Sequence, residues 1–287
     1  MANAASNSLN PETLPVQPQN DGIVKIAATS ERRWLNFESV RYPALTVLGL
    51  VSFVVLWHTG SKLLEKPILL PGPLDVLGAY QQILLDGTLK SDIFASLKRV
   101  FAGYLIASTM GVSLAMLLAV GPGARAFALP VLSVLRPIPP IAWIPLAILW
   151  FGIGDAPSYF ITAIASFFPV FLNSLSGGIS VNENHCQAAR CLGATNLSVL
   201  WHVVLPSAAP SIWTGLKIGL GQAWMAVVTA ELIAAHSGLG YMIQVNRLNL
   251  ETPAVLAGML TIGILGATMA YTLSALERRL LPWRVGR

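Results

Sequence analysis

Six segments of this chain carry enough apolar positions in sequence to cross a bilayer, and polar intervals of quite different character separate them. The apolar stretches run Pro43 to Leu64, Val100 to Val120, Ala126 to Trp150, Pro157 to Ile179, Pro210 to Ala235 and Pro253 to Leu276. Each approaches or exceeds the ~20 helical residues that span about 30 Å of hydrocarbon. The first is the weakest, because His58, Lys62 and Glu65 crowd its end. Between the first two, Pro71-Gly72-Pro73 opens a stretch from Leu74 to Leu85 that Asp86-Gly87 closes, which predicts a short amphipathic helix at the outer interface.

Residues 181–206 form the most distinctive polar interval. Ala188, Ala189, Arg190 and Leu192 favour a helix, and Gly193 supplies a left-handed stop. A second apolar-periodic stretch, Leu197, Leu200, Trp201 and Val204, leads to Pro206, where the missing N–H predicts a helix end. Two short helices set at an angle are expected. The small side chains of Ala188 and Ala189 let another surface approach the backbone, which suits insertion into a partner's groove. On the helix alone, an amphipathic segment lying on the membrane is an equal alternative.

Composition agrees with a polytopic membrane protein. Of 287 residues, 54% are hydrophobic and 11% charged, with a mean hydropathy of +0.65, too little polar surface for a water-soluble globule of this size. An inside amino terminus puts Lys25, Arg32, Arg33, Arg41, Arg125, Arg190, Arg278, Arg279, Arg284 and Arg287 on the cytoplasmic side. The outer pieces hold Lys62, Lys66, Lys90, Lys98, Arg99 and Arg247 over a longer loop, so the positive-inside rule is met. That bias accounts for the basic pI without a nucleic-acid partner. Residues 1–41 are rich in Asn, Pro, Ser, Thr and Gln and read as a flexible cytoplasmic tail ahead of a membrane domain over 42–287.

Within the third apolar segment, Arg136-Pro137-Ile138-Pro139-Pro140 followed by Trp143 and Pro145 removes several backbone donors. Such a break is tolerated where protein or water satisfies the freed carbonyls, and points either to a pathway or to a packing kink. Arg136 and Lys217 are cations placed in or near spans, to be paired, exposed to a watery cavity or drawn to a headgroup. Glu231 is expected to pair with a cation on another helix or to reach outer water, in a structural or gating role. Pro139, Trp143, Arg136, Lys217 and Glu231 are therefore the pathway candidates. Gly215 and Gly219 make a small-residue face for close helix packing. His185, Cys186 and Cys191 lack a fourth ligand and the usual pair spacing, so no metal site is expected. Nothing has a nucleophile-elbow or Walker pattern, so neither hydrolysis nor nucleotide binding is assigned to this chain.

Gln187-Ala188-Ala189, three residues, Gly193, nine residues, Val203, one residue, then Leu205-Pro206 resembles the cytoplasmic coupling motif of binding-protein-dependent ABC importer permeases. Gln187 stands where that family usually has Glu. Ser96-Leu97-Lys98-Arg99-Val100 and the Gly238-Leu239-Gly240 run after Ala230-Glu231 are similar to further segments of the same family, while the run Arg136 to Gly154 and the segment from Asp155 to Leu192 are most similar to those of nitrate, nitrite, cyanate and bicarbonate permeases, with sulfonate permeases next. The resemblance implies an all-α type I importer transmembrane domain in a bacterial inner membrane, with Gln187, Ala188, Ala189, Gly193, Leu205 and Pro206 as coupling residues. It further implies a second permease copy, two ABC ATPase subunits that bind ATP and Mg, a periplasmic or lipid-anchored binding protein, and surrounding lipid. Nitrate or nitrite is the substrate it points to, with bicarbonate or an alkanesulfonate as alternatives. A secondary transporter without an ATPase is the rival class.

Overall fold

The computed structural model describes residues 45–64, 66 and 68–284; the tail expected over 1–41 lies outside them. The chain divides into two compact units between Thr59 and Gly60. Among the described residues every regular element is helical. The first helix, α1, is Leu45–Leu64. After it come α2 (Pro73–Leu85), α3 (Thr88–Val120), α4 (Pro122–Leu135), α5 (Ile144–Phe151), α6 (Asp155–Ile179) and α7 (Glu183–Cys191). Then follow α8 (Asn196–Val199), α9 (Leu205–Ala234), α10 (Leu239–Leu248) and α11 (Thr252–Leu280). Five of the described helical segments are long and apolar enough to cross a membrane, six if one bent pair counts as a span.

The predicted short helix before the second span is α2. Pro73 takes its first position, and the backbone N–H of Gly72 donates to Asp75 Oδ2 at 2.9 Å. The second span corrects the expected boundary. It begins at Thr88 rather than Val100, so residues expected in an outer loop, Arg99 among them, are helical and extend the element to 33 residues. At 1.5 Å per residue that is roughly 50 Å, well beyond one hydrocarbon thickness.

The third apolar segment is not one straight crossing. α4 and the Pro140–Phe151 segment meet at 87°. Pro137 and Pro139 deny the helix two donors in succession, and Pro140 starts a tight 3₁₀ turn, Pro140–Trp143, that re-aims the chain into α5.

Pro206 brings a second correction, since it ends no helix. Leu200–Val204 is a π-type turn in which the Leu205 N–H reaches back five residues to the Leu200 carbonyl. The extra residue widens the turn and relieves the clash a proline ring makes with the carbonyl four residues earlier. Pro206 therefore sits in the first turn of α9, and Asn196–Ala234 runs as one 39-residue segment. The segment after α9 is helical as well, and α10 buries Leu239, Met242 and Ile243.

α6 packs against both α3 and α9 to form the centre of the second unit. Gly215 and Gly219 do provide close packing. A Cβ on Gly219 would stand 2.7 Å from Val170 Cγ2, and one on Gly215 would stand 2.8 Å from Asn173 Cβ. Replacing Gly219 by Leu is expected to cost roughly 1–3 kcal/mol or more through overpacking. On the same helix Gly221 faces open space, so Gly221→Ala should be neutral or stabilising by about 0.5–1 kcal/mol. Thermal stability of the two purified variants separates the cases. Phe101, Leu105, Ile264 and Tyr271 are exposed, an apolar surface of the kind that lipid covers.

Candidate functional site

Three features of the second unit bear on function: an exposed helical corner at one end, a buried ionic cluster at the other, and a cavity between them.

The corner is built by α7 and the start of the α8–α9 segment. Asn182 caps α7, its side chain accepting from the Asn184 N–H at 3.0 Å. Gln187 Nε2 lies 3.4 Å from Glu183 Oε1, one turn earlier on the same face. At the far end the Gly193 N–H donates to the Arg190 carbonyl at 2.9 Å and the Ala194 N–H to the Ala189 carbonyl at 3.0 Å. Those two bonds are a Schellman stop, and Gly193 supplies the φ of +87° it requires. Thr195 then caps the next helix, with Oγ1 accepting from the Ser198 N–H at 3.3 Å. Ala189, Val203 and Leu205 rest on a core that includes Leu175, Val199, Val204 and Ala208. Gln187, Ala188, Gly193 and Pro206 are exposed. So are large apolar side chains beside them: Leu192 is 90% exposed, Leu197 65% and Trp201 59%.

The ionic cluster joins four helices. Arg99 on α3 is buried, and its Nη1 donates to Glu231 Oε1 at 2.6 Å and to the Ser237 carbonyl at 2.6 Å. Nη2 reaches Asp155 Oδ1 at 2.6 Å and Ser237 Oγ at 2.8 Å. Ser96 Oγ donates to the Glu231 carboxylate at 2.8 Å and accepts from the Leu239 N–H at 2.9 Å. The flanking N–H groups of Gly238 and Gly240 donate to Asp92 Oδ1 and Glu231 Oε2, at 2.8 and 2.9 Å. A Cβ on Gly238 would stand 2.5 Å from Glu231 Oε1, and its φ of +106° also favours glycine. Glu231, the pathway candidate, is thus paired with a cation on another helix. Arg99 and Asp155 were not singled out from the sequence. The available signal was the Ser-Leu-Lys-Arg-Val stretch and the Gly-Leu-Gly run, whose polar groups converge on this cluster.

Lys217, a second pathway candidate, pairs with Glu277 of α11 at 2.7 Å. Its side chain is one-third exposed, so the pair contributes little beside the buried one. Trp143 is half-buried and meets Phe160 edge to face with centroids 6.5 Å apart. Pro139 is exposed and precedes the 3₁₀ turn. Arg136, at the end of α4, borders a half-open cavity of about 360 Å³ with Asn173 and Phe168 of α6 and Ile218 and Gln222 of α9. Of the five pathway candidates, Arg136 is the one on this cavity's wall.

The family model described as "Binding-protein-dependent transport system inner membrane component" matches residues 107–284. The taurine transport system permease protein TauC of Escherichia coli K12 is 39% identical over 249 residues, 85% of this chain and 90% of that protein. The nitrate import permease protein NrtB of Synechocystis is 29% identical over 248 residues, 83% of this chain and 88% of that protein. Among solved structures, a chain of the MetNI methionine ABC transporter in an inward-facing form superposes with a TM-score of 0.58 at 19% identity. That match covers 65% of this chain and 93% of that one, and it shows a shared fold.

Proposed function

Because the chain belongs to the binding-protein-dependent transport system inner membrane component family, and so is a multi-pass ABC permease rather than an enzyme, we propose that two copies form the pathway of a sulfonate importer. Separate ATPase subunits bind ATP and Mg and grip the corner around α7, and an outer binding protein delivers substrate at the end that carries the ionic cluster. The observation that carries this reading is the corner itself. The coupling spacing begins on the short helix α7, which carries Gln187 to Ala189 and closes in the Schellman stop at Gly193, and ends at Val203 and Leu205-Pro206 where α9 begins, with exposed Leu192, Leu197 and Trp201 between. Such a surface fits a groove on a partner. Gln187 in place of Glu leaves the position polar and hydrogen-bonded.

A pull on α7 would be felt along α6 and α9, which leave the corner as long helices. Each contains a proline partway, Pro169 and Pro210, where a missing backbone bond lowers the cost of bending. At the far end Arg99 ties α9 to α3 and α6, so the helices would tilt as a group. The cavity beside Arg136 lies against both moving helices.

Sulfonate is favoured by the order of identities, 39% to a taurine permease against 29% to a nitrate permease. Nitrate and nitrite, to which the sequence motifs point, form the second reading, supported by the nitrate relative. Uptake of labelled taurine into proteoliposomes holding the complete importer, with nitrate or unlabelled ethanesulfonate as competitor, tests the choice. Taurine uptake blocked more strongly by ethanesulfonate than by nitrate is expected. Uptake of labelled nitrate with none of taurine would overturn it in favour of the second reading.

A further inference from the structure

Two of the deeply placed cations are neutralised inside the fold, Arg99 by Asp155 and Glu231 and Lys217 by Glu277. Arg136 is different: among the described residues no carboxylate lies within ion-pairing distance of it. It caps α4 after 14 helical residues, about 21 Å along the axis from the start of that helix. A cation so far along an apolar helix is costly unless it faces water or a counter-charge.

The cavity at Arg136 meets that need. Its lining holds Arg136, Asn173 and Gln222 as polar groups and no acidic side chain, so its formal charge is +1. Gln222 is exposed and its amide has no hydrogen-bond partner among the described residues. Asn173 donates one N–H to the Pro169 carbonyl at 2.8 Å and keeps the other. A guanidinium fork and two carboxamide donors thus border one space with nothing to offset the positive charge. The walls between them are apolar, Phe168 and Ile218 among them, and the volume, about 360 Å³, is that of a small-ligand pocket.

We infer that this cavity is a binding site for a monovalent oxyanion, its oxygens held by Arg136, Gln222 and Asn173 and its alkyl part resting on Phe168 and Ile218. Three oxygens on one centre, as in a sulfonate or nitrate, can take the planar fork on two and an amide N–H on the third. One charge on the anion balances one on the lining, so a divalent anion would leave an excess negative charge at depth. Transport through the site rests on the importer reading above, whereas binding does not. An anionic lipid headgroup offers the same chemistry, and the test separates the two sources.

Saturation-transfer NMR of the full-length chain in phosphatidylcholine nanodiscs, with ethanesulfonate as probe, reads weak binding directly. Transfer to the ethyl protons is expected in the wild type, weakened in Arg136→Lys, which keeps the charge but loses the fork, and reduced about tenfold or more in Arg136→Gln, the scale of a lost charge-assisted contact. Gln222→Leu should weaken it by a smaller factor. Nitrate should compete, and sulfate should compete poorly. Equal transfer in wild type and Arg136→Gln, at equal thermal stability, would overturn the site. So would loss of all transfer on adding phosphatidylglycerol, which would give the cavity to a headgroup. Binding that depends on Arg136 in a complex that imports no anion would leave the site standing and sink the importer reading; import of sulfonate unaltered in Arg136→Gln would do the reverse.

Discussion

Arg99→Met should be the most destabilising single substitution in this protein outside the glycine contacts, lowering its stability by roughly 3–5 kcal/mol. The guanidinium is 1% exposed and serves two carboxylates and both polar groups of Ser237. Without it Glu231, whose side chain is fully buried, keeps its charge among hydrogen-bond donors too few to replace the cation. The loss is one of uncompensated charge rather than of shape, so the double variant Arg99→Met, Glu231→Met should recover more than half of it. Fluorescence-detected size-exclusion after heating measures both variants in detergent. A wild-type melting temperature for Arg99→Met, or additive losses in the double variant, would contradict the view that this cluster fastens α3, α6, α9 and α10 together.

Ala188→Trp is expected to reduce ATP-driven uptake at least tenfold while the protein inserts normally and melts as the wild type does. Ala188 is exposed on α7, so the indole meets no residue of its own chain, whereas Ala189 is packed on the core and a bulky group there would harm the fold as well. A tenfold loss is about 1.4 kcal/mol, a modest demand for an indole placed where a partner groove must close. Gly193→Val should act by a second route. The space around Gly193 is open, so its cost is the left-handed φ of +87°, about 1–2 kcal/mol for a residue with a Cβ. Relieving that strain would turn Leu192 and the end of α7 away from their present direction. Uptake per unit of membrane-inserted protein, measured beside the thermal profile, checks both. Wild-type uptake in Ala188→Trp would remove the corner around α7 from the coupling path.

Local pattern in the sequence was enough for some elements and not for others. The apolar segments, the proline-started α2 and the Gly193 stop depend on residues within one or two turns, and they were legible. So was the Gly215 and Gly219 face, which needs only a helix and a neighbour. The 87° break was half legible: Pro137, Pro139, Pro140 and Pro145 announced an interruption, but the direction of the chain afterwards depends on α5 packing against α6. Pro206 misled because its consequence is decided by the carbonyl it would strike, and the π-type turn moves that carbonyl aside. Arg99 was hidden by its polar neighbours Lys90, Ser91 and Lys98, which read as an outer loop. Its partner Glu231 is 132 residues away, and no periodicity links the two. Arg136 was legible as a cation in an apolar segment, but the amides that share its cavity come from α6 and α9 and could not be paired with it in advance.

ATP hydrolysis by the permease co-purified with its ATPases in lipid, with the binding protein added empty and then loaded with a sulfonate, tests the central claim most directly. Co-purification and a several-fold stimulation by the loaded form, abolished in Ala188→Trp, is the predicted result. An ATPase rate indifferent to the loaded binding protein, together with anion uptake by this chain reconstituted alone, would contradict it and make the protein a transporter that works without a coupled ATPase.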